Sequence, residues 1–193
     1  EVASALAGRL GENPDLEVLL VAPKTHEAWL EQQTMLAGRI RFMEIIRQAD
    51  VADRVRLVYP TVGKEGQEVD VMVHSKVMIV DDALLRVGSA NLCNRSMGTD
   101  TECDLVIEAS DDASRAGVLD ALGRLLGEHC GVDSGEIAGA LHETGSIFAA
   151  MDRARVKDRG LRPVADGEEP PGEAFTAIES IADPGRPIAS GEH

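Results

Sequence analysis

Aromatic residues are nearly absent, with one Trp, one Tyr and three Phe in 193 residues. Any core must therefore be packed from Val, Leu, Ile, Ala and Met. Basic residues are also short, 19 Lys and Arg against 34 Asp and Glu, which leaves a net charge of −15. A chain with that balance repels polyanions at long range, and no Lys/Arg cluster with interleaved aromatics offsets it, so nucleic acid is disfavoured as a partner. Only three cysteines occur, Cys93, Cys103 and Cys130, with no CxxC pair. That count argues against a disulfide scaffold and a zinc site, and the three read as reduced thiols, mostly core filler. No apolar run is long enough to span a bilayer and no signal peptide is visible. The sequence opens at Glu1 without a Met, so the natural N-terminus is expected upstream. Cytoplasmic placement or peripheral membrane contact is the expectation. No internal repeat occurs.

Hydrophobic residues make up 44% of the chain, enough for one globular domain with a real core. Residues 3–10 read as the end of a helix, and "LEVLLVAP" (16–23) as a buried strand stopped by proline. Thr25 is placed to cap a helix that runs to about Gln48, with Trp29, Gln33, Leu36, Ile40 and Met43 on its repeating face. Trp29 reads as helix packing, or with Gln32, Gln33 and Arg39 as a substrate mouth. "RVRLVYP" (54–60) reads as a second strand. Three further strands are expected at about 70–80, 83–88 and 103–109, with the Asp81–Asp82 pair as a tight turn between the first two. A helix at 111–131 has an acidic start and a terminal glycine, and two shorter helices follow near 134–142 and 144–154. Strands separated by helices predict an α/β layered domain over 1–155. From 156 to 193, Pro, Gly, Glu and Asp dominate, and that tail is expected to be extended or disordered.

Residues 71–109, "VMVHSKVMIVDDALLRVGSANLCNRSMGTDTECDLVIEA", hold the chemistry. His74 and Lys76 are two apart on an expected strand, so both face the same way, among neighbours that predict burial. A buried His beside a buried Lys is costly unless an anion meets them. Lysine offers charge to a phosphate, and histidine can act as nucleophile or as acid and base. Gly88 lets the next strand turn, and Ser89 and Asn91 can bind phosphate oxygens. Glu102 can hold the far nitrogen of an imidazole. Taken singly, each piece is ordinary: a strand histidine is usually structural, and Asp81 alone is a turn former. The whole spacing, H-x-K, four residues, D, then G-S-x-N, is long enough that chance matches are rare.

This stretch closely resembles the phospholipase D superfamily, whose signature is H-x-K-x4-D followed by G-S/G/T-x-N. His74, Lys76 and Asp81 match the first part, and Gly88, Ser89 and Asn91 the second. Glu102 falls where family members carry the acid that holds the catalytic histidine. "NRSM" (94–97) resembles phospholipases and phosphatidyltransferases more than the small nuclease branch. Arg95 and Ser96 follow the clamp and read either as contacts to a head group or lobe interface or as structural residues of the turn. The resemblance covers about residues 1–130 and is specific at 71–109. It implies an α/β phospholipase D-like lobe with a mixed central sheet flanked by helices. It further implies His74, Lys76, Asp81 and Glu102 as catalytic residues, Lys76, Ser89 and Asn91 as the phosphate clamp, and no metal or other cofactor.

Such enzymes need two motifs at one site, and this chain has one. His26, His129, His142 and His193 all lack a lysine two residues on, and His129 reads instead as a cation at a helix C-terminus. The second motif is expected from a preceding lobe or from a homodimer partner. By analogy with two-motif lipases, His74 is then the general acid/base. The expected substrate is a phospholipid or another phosphodiester. A dimeric nuclease of the same superfamily and a non-catalytic lobe that binds phosphate or a head group are the alternatives.

Overall fold

Two parallel strands need a crossover, and the long helix between the first two apolar runs supplies it. The computed structural model describes residues 1–25, 28–64, 66–154, 156, 158–164 and 182–183. In chain order its elements are α1 (Val2–Glu12), β1 (Val18–Val21), α2 (Trp29–Gln48), β2 (Val55–Val62), β3 (Val69–Asp70), β4 (Lys76–Val80), β5 (Leu84–Gly88), α3 (Asn94–Gly98), β6 (Asp104–Glu108), α4 (Asp112–Cys130), α5 (Ser134–Thr144), α6 (Ile147–Arg153) and β7 (Arg159–Pro163). A 3-10 turn, Ala52–Arg54, leads into β2.

β1 lies parallel to β2, from Val18 opposite Val55 to Val21 opposite Val58. β3 and β7 join β2 antiparallel. Val58 pairs with both Val21 and Pro163, and Thr61 with both Asp70 and Gly160. β7 therefore takes one edge of β2, while β1 and β3 share the other.

Side chains alternate across this sheet. Val18 and Leu20 of β1 pack into a core with Ala7 and Leu10 of α1 and Ile46 of α2. Leu19 points the other way, into a second core with Leu126 and Cys130 of α4, Ile137 of α5 and Ala154. The result is three layers, α1 and α2 on one face and α4 to α6 on the other. Local chemistry ends the helices where the sequence says it should. The Asp111 carboxylate accepts from the Ser114 N–H at 2.8 Å, and the Ser114 hydroxyl accepts from the Asp111 N–H at 3.1 Å, a reciprocal cap on α4. Gly131 closes α4 in the left-handed region, at φ 73°. Arg54 donates to the carbonyls of Leu10 (2.7 Å) and Asn13 (2.8 Å), tying the end of α1 to the entry of β2.

Several expectations change. Within the tail expected to be extended or disordered, Arg159–Pro163 form β7, because β2 has an open edge that they can pair. Leu161 packs against the second core. The rest of the tail, 165–181 and 184–193, lies outside the described residues. Thr25 does not cap α2; Ala28 precedes the helix and gives no side-chain cap. His26, with the start of the expected helix, lies outside the described residues. Trp29 is 55% exposed, so it is not a packing residue. Cys130 is buried, and burial pushes its thiol pKa up, but Cys103 is exposed rather than core filler.

The strands of the motif form a sheet of their own. β4, β5 and β6 make an antiparallel meander, with Lys76 opposite Gly88 and Gly88 opposite Asp104. The expected burial of this region does not hold. His74 is exposed, and Leu105, Val106 and Ile107 are 73%, 53% and 52% exposed. The register sorts its side chains into two faces. Val77, Ile79, Leu85, Val87, Leu105 and Ile107 share one, which is wholly aliphatic. The other carries Lys76, Met78, Arg86, Asp104 and Val106.

Candidate active site

The turn between β4 and β5 has three residues, Asp81–Ala83, with the Ala83 N–H bonded to the Val80 carbonyl at 3.0 Å. Asp81 sits there in the left-handed region, at φ 51°, which Asp tolerates better than most residues. Asp82, not Asp81, makes the outward contact, an ion pair with Arg115 of α4 at 2.9 Å.

The other end of this sheet collects the rest of the motif. Lys76 opens β4, and its ammonium donates back to the His74 carbonyl at 2.7 Å. Residues 71–75 have no regular structure, so His74 stands just beyond the strand rather than in it. Ser89 follows β5 and continues its pairing, with its N–H bonded to the Cys103 carbonyl at 3.1 Å. The Ser89 hydroxyl donates to the Glu102 carboxylate at 2.5 Å and accepts from the Cys103 N–H at 3.0 Å. Asn91, two residues on, is half-buried behind the buried Ala90.

The structure thus gathers Lys76, Ser89 and Glu102 at one end of the meander, with His74 and Asn91 on the adjoining segments. Asp81 is not among them. The length of β4, about 13 Å at ~3.3 Å per residue, separates its turn from Lys76. Glu102 meets Ser89, and among the described residues the His74 ring has no hydrogen-bond partner. Arg95 is held by the Asp100 carboxylate at 2.9 Å, and Ser96 is buried rather than turned toward a ligand.

Gly88 has a more specific reason than a turn. A Cβ there would run into the Asp104 side chain and come within 2.9 Å of the Asp104 Cα. Asp104 is locked by Arg86 at 2.8 Å, and among the described residues its other oxygen is buried without a partner. Reading the sequence for chemistry missed this support, although a lone Asp opening the apolar run "DLVIE" was its signal.

Among the described residues a cleft lies elsewhere, between α2, β2 and β7. Three of its arginines are paired with carboxylates: Arg56 with Asp152, Arg159 with Glu128 and Arg162 with Glu68. Among the described residues no helix is long and apolar enough to cross a membrane.

No curated protein matches the chain. A family model described as "Cardiolipin synthase, PLD-like domain" matches residues 15–117, more than half of the sequence and the whole of the motif region. With its α/β architecture, the chain belongs to the phospholipase D superfamily.

Proposed function

We propose that this chain is one lobe of a phosphodiester-cleaving or phosphatidyl-transferring enzyme that acts on phospholipids, with His74 as its general acid/base. One observation carries the reading: H-x-K and G-S-x-N converge at one end of a single sheet, inside the family match. The second motif would come from another phospholipase D-type lobe, either preceding this one or in a second copy. The aliphatic face of β4, β5 and β6 supports such a partner, since an apolar face of this extent is costly to leave in water.

The chemistry follows from the residue types. A histidine of the second motif attacks phosphorus, a P–N bond forms, and the P–O bond to the leaving alcohol breaks. His74, protonated, gives its proton to that alcohol. It then takes the proton of the incoming water or alcohol as the phosphohistidine is cleaved. Lys76, Ser89 and Asn91 would offset charge on the phosphate oxygens. A phosphate oxygen is an acceptor and competes with Glu102 for the Ser89 proton. Substrate would therefore free Glu102, which could then turn to His74.

The bond from Ser89 to Glu102 also favours a second reading, a lobe that binds a phosphate or head group without turnover, because it leaves His74 without an orienting carboxylate. Turnover of bis(p-nitrophenyl) phosphate across a concentration series, with His74→Asn as control, separates the two. Activity that depends on His74 and rises per molecule with concentration supports a half-site enzyme. Silence that a supplied first lobe rescues supports the two-lobe form. Phosphate binding with silence in both settings favours the binding lobe. DNA cleavage that weakens steeply with salt would favour the nuclease alternative.

A further inference from the structure

The connection from Ser89 to Cys103 is held from within by the Arg95–Asp100 pair, the Ser89 bonds to Glu102 and Cys103 and a few backbone bonds. It is a long loop whose single helix, α3, spans only Asn94–Gly98. A helix of that length does not stand alone in water, so contacts from outside the loop bear on its order. The loop also carries Ser89 and Asn91, so its order decides whether the phosphate clamp is preformed.

The anchor comes from the far end of the chain. Ala182 packs against Ala37 of α2. Beside it the Asp183 carboxylate is almost wholly buried, its side chain 1% exposed. Three donors converge on it: the Arg95 N–H at 2.9 Å, the Asn94 side-chain amide at 3.2 Å and the Arg41 guanidinium at 3.3 Å. A buried carboxylate is costly unless opposite charge and hydrogen bonds meet it, and here both do. Two of the donors belong to the loop and the third to α2, in the helical layer of the main sheet.

We propose that Asp183 is a positioning residue for the clamp: it ties α2 to α3 and so orders the stretch from Asn91 to Gly98. The proposal rests on the reading of Ser89 and Asn91 as a phosphate clamp only for its functional consequence. The fastening itself is independent of that reading.

Hydrogen exchange on the full chain tests it. In Asp183→Ala, amides of residues 92–99 are expected to exchange at least tenfold faster, while those of α4 and α5 keep their wild-type rates. Asp183→Asn retains the volume and one acceptor oxygen and is expected to fall between. Unchanged rates at 92–99, or a uniform rise across the whole protein in both variants, would overturn the proposal. Inorganic phosphate, titrated against the Asn91 amide resonance in the same samples, is expected to bind about tenfold more weakly to Asp183→Ala. A loosened loop with unaltered phosphate affinity would reduce Asp183 to a structural fastener and overturn its positioning role. A wild-type chain that binds no phosphate would sink the clamp reading, and with it the positioning role, while the exchange data still decide the fastening.

Discussion

Leu105→Lys separates a face that belongs to solvent from one that belongs to a partner. Leu105 lies on the all-aliphatic side of the meander, in register with Val87 and Val77, and is 73% exposed. In the isolated chain the substitution removes little burial, so its unfolding free energy should change by no more than about 0.5 kcal/mol. A second lobe docked on this face alters the arithmetic. Fully burying a leucine contributes about 1.5–3 kcal/mol, and roughly three quarters of that, about 1–2 kcal/mol, would be gained only on docking. At ~1.4 kcal/mol per factor of ten, the partner's dissociation constant should rise about 5- to 30-fold, and more if the lysine is left buried in the contact. Thermal melts of the dilute chain and sedimentation velocity over a concentration series, with and without a supplied first lobe, give both numbers. A variant that melts like wild type but associates less would fit the reasoning. Association that Leu105→Lys leaves untouched would refute it, because the partner would then sit on another surface.

Other outcomes follow from single contacts. Gly88→Ala forces Asp104 aside and strains its pair with Arg86; overpacking of this kind costs roughly 1–3 kcal/mol, read as a lower denaturant midpoint, and Asp104→Ala in the same chain should recover part of it. Arg54→Met strips a charged donor from the Leu10 and Asn13 carbonyls, with an expected loss of about 1–3 kcal/mol in urea unfolding. Burial lowers the His129 pKa below the ordinary 6.5, against the cation its helix-end position suggests, with the neighbouring Glu128 opposing and Arg159 adding to the shift. The unfolded chain then binds more protons in the window between the folded value and 6.5, so this contribution is complete above 6.5 and is lost as pH falls from there through the lower folded value. His129→Gln should flatten the melting-temperature profile below pH 6.5; an unaltered slope would contradict the burial argument.

What the sequence determined by itself is local. Capping chemistry at Asp111 and Gly131, apolar period in α2 and α4, and the short apolar runs of β5 and β6 all act between near neighbours, so each of these elements was legible from its own residues. The H-x-K and G-S-x-N spacing likewise carried the superfamily. Tertiary structure decided everything that depends on distant partners. β7 became a strand because β2 offered it an edge, which no feature of residues 159–163 announces. The motif strands formed a separate sheet, so residues that look buried by composition stand exposed. Glu102 lies against Ser89 because β5 and β6 bring them side by side. Asp183, in a tail whose composition reads as solvated, is buried because Arg41, Asn94 and the Arg95 N–H meet it there. Hydrogen bonds and charges are satisfied by whatever the fold brings near, and that is a property of three dimensions rather than of the string.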